Sequence, residues 1–171
     1  MRRTAGPVLV LAGAFLLAVS LIGDRTVAGR YVNLPPRSWE HFDPTLASRT
    51  PDLESLYREA QGRVNRNLLE MPPQEAMDIL YGTVADRFTH GDQATYSAFS
   101  NWVLWTLGFA DPRSGTSRTR TTLLRNSHSA MCGETSYILL RLAEMSGILI
   151  RHALLDGHIV MEAWYDGGWH A

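Results

Sequence analysis

The chain is poor in cysteine, with one, Cys132, in 171 residues. No internal disulfide framework can form. It is also poor in net charge: 16 basic and 17 acidic residues leave −1 at pH 7. No global field favours nucleic acid or an anionic membrane, and no nucleic-acid partner is expected. There is no internal repeat and no low-complexity tract. What remains is an apolar content of 45%, that of an ordinary globular protein.

Charge is missing most conspicuously near the start. Arg2 and Arg3 precede an uncharged run from Pro7 to Gly23, and Asp24-Arg25 follows. A basic start before an apolar run is the pattern of an export signal. The run, about 17 residues, is near the lower limit for spanning a bilayer. An uncleaved membrane anchor through residues 7–23 is favoured, with Arg2 and Arg3 held in the cytoplasm. Ala18 and Ser20 offer small residues for cleavage, so a removable signal peptide stays open. Either way the rest of the chain lies outside the cytoplasm. The expected localisation is the cell membrane, single-pass, or a secreted or periplasmic protein if the signal is cleaved. An unpaired cysteine in such a place suggests an intermolecular bridge or a functional thiol.

Residues 1–24 are therefore expected to be signal anchor or signal peptide, 25–50 a Pro-bearing linker, and 51–171 one domain. Thr50-Pro51-Asp52 reads as a helix start, and apolar residues at helical spacing run from Leu53 to Leu68. Pro72-Pro73 closes that helix. A second runs from about Gln74 to Phe88, and a third from about Thr95 to Leu107, expected to be well buried because Trp102 and Trp105 make it apolar on more than one side. Residues 109–129 are polar, with Arg113, Arg118, Arg120 and Arg125 against Asp111, and read as a solvated loop or as a wall that meets an acidic substrate. Helical patterning returns from Ala130 to Ser146 and stops at Gly147. Strands follow over 148–155 and over 158–165, then a tight turn at Asp166-Gly167-Gly168 and the start of a third strand at Trp169.

Cys132 falls in the first turn of the last helix, just before Gly133. Free amides and the helix dipole at that place favour a thiolate. Gly133 has no side chain to block an approaching carbonyl, and the Cys132 amide is a candidate oxyanion donor. A base must come from another segment. His41 and His90 fall in expected surface loops and His128 on the loop side. His152, His158 and His170 fall in the strand region. His158 opens a strand, with Glu162 four residues on and on the same face. A lone strand histidine is more often just packed or exposed, so the case rests on the combination.

The ordered set Ala130-Met131-Cys132-Gly133-Glu134, Gly147-Ile148, Arg151, Gly157-His158 through Trp164, and Asp166-Gly167-Gly168-Trp169 resembles the transglutaminase-like superfamily over residues 128–171. The resemblance implies an α+β, papain-like core: N-terminal helices, then a Cys-bearing helix packed on an antiparallel sheet. It implies Cys132 as nucleophile, His158 as base and Glu162 as a structural strand glutamate. Arg151 matches a strand position without catalytic role. The family's third member, an Asp, is expected beyond Ala171, so the domain is expected to be incomplete at its C-terminus; Asp156 and Asp166 do not match that position.

The expected activity is that of an exported thiol enzyme acting on amide or ester bonds of a protein or peptide through a Cys132 thioester. Protease or amidase is favoured over cross-linking acyltransferase, and no metal or organic cofactor is implied. The alternative is a catalytically inactive transglutaminase-like module that binds or scaffolds. A metal site built from Cys132 with His128, His158 or His170 fits no common zinc spacing.

Overall fold

The computed structural model describes residues 5–26, 33–91, 98–110, 123–125, 127–156 and 158–171. Its elements in chain order are α1 (Ala5–Thr26), α2 (Pro44–Arg49), α3 (Leu53–Gly62), a 3-10 turn (Leu68–Glu70), α4 (Pro73–Arg87), β1 (Thr89–His90), α5 (Ala98–Leu107), β2 (Ser129–Ala130), α6 (Cys132–Met145), β3 (Ile150–Leu155), β4 (His158–Tyr165) and β5 (Gly168–His170). The chain is α+β. It divides into two compact units, residues 1–31 with 93–118 and residues 32–92 with 119–171.

In the first unit α1 and α5 pack on each other. Residues 7–23 are helical as expected. Among the described residues no helix is long and apolar enough to cross a membrane. The expectation of a well-buried third helix also fails, since Val103, Trp105 and Leu107 of α5 are exposed.

The second unit has two layers. α3, α4 and α6 pack together, and α6 and α4 cover one side of the antiparallel sheet β3-β4-β5. Leu56 and Ala60 of α3, Ala76 and Leu80 of α4, and Ile138, Leu142 and Ala143 of α6 form the core. These positions recur at the spacing of one helix face, which places them in one apolar stripe per helix. α3 starts at Asp52, not Thr50: the Ser55 amide donates to Asp52 Oδ1 at 2.8 Å and the Asp52 amide to Ser55 Oγ at 3.2 Å. It ends at Gly62, short of Leu68, because Asn67 caps a separate 3-10 turn through the Leu69 amide.

α6 ends in a glycine turn. Gly147 has φ +70°, and the Ile148 amide reaches back to the Ala143 carbonyl and the Gly147 amide to that of Glu144, both at 3.0 Å. This left-handed C-terminal turn redirects the chain into β3. At Asp166 and Gly167 φ is +50° and +78°, the paired positive values of a two-residue hairpin. They join β4 to β5, with Trp164 opposite Trp169.

Of the expected linker, residues 25 and 26 end α1, and residues 33–50 are built into the second unit. Leu46 and Thr50 are buried, and Asp43 caps α2 by accepting from the Thr45 and Leu46 amides. Upstream, the Leu34 amide donates to Ser129 Oγ at 2.7 Å and Asn33 Oδ1 accepts from the His128 amide at 2.9 Å. Phe42 lies 4.9 Å from the His128 ring, centroid to centroid. Arg113, Arg118 and Arg120 of the expected polar loop, and Gly157, lie outside the described residues.

Candidate active site

β1 and β2 are two-residue parallel strands, with His90 opposite Ala130. They fix the backbone immediately ahead of α6, so Cys132 starts the helix from a pinned position. Met131 is the N-cap residue, and its amide donates to Glu134 Oε2 at 2.8 Å. The Glu134 and Thr135 amides turn to the Met131 carbonyl. Among the described residues no acceptor takes the amides of Cys132 and Gly133, the orphan donors of a helix start. Cys132 is a half-buried free thiol.

A cavity of about 820 Å3 opens beside it. Cys132, Thr135, Ser136 and Leu139 of α6 form one wall; His158, Met161 and Ala163 of β4 form another. His90 and His170 also border it, as do Gln74, Asp78 and Tyr81 of α4 and Arg37 and Trp39 of the arm formed by residues 33–50. The structure thus brings Cys132 and His158 to one cavity. Among the described residues no hydrogen bond joins them. Strand alternation explains the gap. Gly133 faces Ile159, whose Cδ1 a Cβ there would meet at an ordinary 3.5 Å, and Ser136 Oγ donates to the Ile159 carbonyl. Ile159, Met161 and Ala163 share the covered side of the sheet, so His158 has the opposite parity, with Val160 and Glu162. His158 is exposed and borders the cavity from the first position of the strand.

Glu162 is engaged on the other face. Arg151 Nε donates to Glu162 Oε2 at 2.7 Å, and the Arg151 guanidinium lies 4.1 Å from the Trp169 ring centroid. The two residues are cross-strand partners. Asp156 and Asp166 both occupy left-handed turn positions, with φ of 40° and 50°. His152 lies opposite Met161 in the sheet and does not line the cavity. His170 stacks on Tyr165 at 3.9 Å, with Nε2 3.1 Å from the Tyr165 carbonyl oxygen. Among the described residues no three His, Cys, Asp or Glu side chains come together as a metal site.

Sequence reasoning missed the far wall. His90 was expected in a surface loop and is a half-buried strand residue. Gln74 with Asp78, and Met77 with Tyr81, are i,i+4 pairs beside the core stripe of α4, a signal that periodicity carried. Arg37 and Trp39 had no such signal. Glu40 holds them in place: Oε2 accepts from the Arg37 amide at 2.8 Å and Oε1 from the His90 amide at 2.9 Å. Burial raises the Glu40 carboxyl, but these amides and the nearby Arg37 and His90 charges outweigh it, and the group sits below its ordinary value. Burial and the charge of Arg87 push the His128 imidazole below its ordinary value, against a hydrogen bond from the ring to the Leu34 carbonyl that raises it.

No family model, curated protein or solved structure matches this chain.

Proposed function

We propose that this chain carries the nucleophile and base of an exported, transglutaminase-like cysteine catalytic domain. The observation that carries the reading is Cys132 at the start of α6, with its own amide and that of Gly133 unclaimed among the described residues, on the wall of a cavity that His158 also borders. In the proposed reaction His158 takes the thiol proton as Cys132 Sγ attacks an amide carbonyl. The free amides receive the developing oxyanion. The imidazolium returns the proton to the departing amine, leaving a thioester on Cys132. Water or an amine resolves it, and water, giving a protease or amidase, is the favoured acceptor.

Iodoacetamide tests the dyad. Cys132 is expected to alkylate faster than free glutathione at pH 6, His158→Ala to slow it by about tenfold, and His152→Ala to change little. A wild-type profile that matches glutathione, unaltered by His158→Ala, defeats the dyad. A second reading, an inactive transglutaminase-like binding module, draws on the lack of a Cys132–His158 hydrogen bond and on the parity of His158; that same outcome favours it.

Export rests on Arg2 and Arg3 ahead of the uncharged run from Pro7 to Gly23. A membrane-impermeant maleimide applied to whole cells is expected to label Cys132. Labelling only after the cytoplasm is opened overturns export.

A further inference from the structure

Arg87, the last residue of α4, is 1% exposed, and no carboxylate among the described residues pairs with it. A buried cation is costly unless dipoles replace its water. Here three acceptors do so. Nε donates to Thr50 Oγ1 at 2.8 Å, Nη1 to the Ser127 carbonyl at 3.2 Å and Nη2 to the Leu124 carbonyl at 2.7 Å. The guanidinium carbon also lies 4.6 Å from the Phe88 ring centroid. Burial pushes the group down to about 10, which leaves it charged at neutral pH.

The three acceptors are not scattered. Two are carbonyls of the segment that leads into Cys132. Beyond Ser127 the same segment is tied by side chains: Ser127 Oγ accepts from the Ser129 amide, and Ser129 Oγ shares a 2.7 Å hydrogen bond with Thr89 Oγ1. Then come Ala130, paired in β2, then Met131 and the thiol. The third acceptor, Thr50 Oγ1, is itself fixed, donating to the Leu46 carbonyl at 2.7 Å. The guanidinium therefore spans from the end of α2 to the chain entering α6.

We infer that Arg87 is a positioning residue for Cys132, its rigid fork holding the Leu124 and Ser127 carbonyls, and through residues 127–131 the placement of the thiol and the free amides at the head of α6. This rests on the reading of Cys132 as a nucleophile. A planar fork can hold three acceptors in different directions, whereas an ammonium offers a point charge. A role limited to buried charge is satisfied by lysine; a role in geometry is not.

The experiment is the pH–rate profile of Cys132 alkylation by iodoacetamide in the full chain, for wild type, Arg87→Lys, Thr50→Val and Leu56→Ala. Near-ultraviolet circular dichroism and urea titration establish the folded fraction. Thr50→Val removes one acceptor with little change of shape and carries the test if Arg87→Lys does not fold. At equal folded fraction, Arg87→Lys and Thr50→Val are expected to lower the pH 6 rate by about tenfold, the scale of a small misplacement of a reacting group. Leu56→Ala, a core change away from the segment, is expected to stay within about twofold of wild type. Wild-type profiles in the folded Arg87 and Thr50 variants overturn the inference while leaving the nucleophile reading intact, and so does rescue by lysine. A wild-type protein that alkylates like glutathione overturns both.

Discussion

Leu56, Leu80 and Leu142 in the helical layer of the second unit are wholly withdrawn from water, while in the sheet beside them Leu154 is 76% and Leu155 58% exposed. The helices hold one another through interlocked apolar stripes. Among the described residues of this unit the helices cover one side of the sheet, and its other face is held by cross-strand pairs: Arg151 with Glu162, and Trp164 against Trp169 at 5.3 Å. The candidate site straddles the two. Cys132 belongs to the layer with the dense core, and His158 to the exposed start of a strand. Local opening follows the density of buried apolar contact, so the thiol has a stiff mount and the imidazole a compliant one.

Breaking the helical side should have the largest effect. Leu142→Ala removes a side chain that is fully buried where α6 meets the core. It is expected to cost about 2–5 kcal/mol in urea unfolding. A loss below ~1 kcal/mol would mean that the two layers do not differ as described.

The arm gives an intermediate effect with a pH signature. The Glu40 carboxyl lies below its ordinary value in the fold. Its stabilisation is present above the ordinary carboxylate range and is lost as pH falls through the folded value. Glu40→Gln is expected to lower stability at neutral pH by about 1 kcal/mol or less, because the carboxylate is partly in water. It should also flatten the acid limb of a stability–pH curve. Asp43 and Asp52, lowered chiefly by the amides of Leu46 and Ser55 respectively, titrate with the same sign and keep part of that limb. An unchanged limb in Glu40→Gln would separate Glu40 from the acid response.

The sheet's outer face should matter least. The Arg151–Glu162 pair is half exposed on the Arg151 side. Arg151→Ala is expected to cost under about 1 kcal/mol, with the cost shrinking in high salt. A larger, salt-independent cost would move the weight to the Trp169 contact and make the outer face a second core.

The same division decided what could be read from the sequence. Elements with a strong period were legible: α4 lies within a residue of its expected bounds, β4 matches residue for residue, and Gly147 and Asp166-Gly167 mark turns because their positive φ demands such residues. Cys132 at a helix head was legible because a change of pattern sits just before it. What escaped were features made by distant pairs. Asn33 and Leu34 bind Ser127, His128 and Ser129 across more than 90 residues, and no local pattern encodes that. Arg87 carried no signal in the sequence, since its burial depends on carbonyls 37 and 40 residues away. The parity of His158 depends on which side α6 chooses to cover, which strand alternation alone leaves open.

The strap at residues 33–50 bears on where this protein can be cut. Read as a linker, it invites trimming at about residue 50 for expression. Such a cut would strip Leu46 from the core, take the Thr50 hydroxyl from Arg87, and remove the Leu34 amide from Ser129 Oγ and the Glu40 carboxylate from the His90 amide. A shortened chain meant to keep the cavity should begin ahead of Asn33, and a fusion partner should be joined there and not at Pro51.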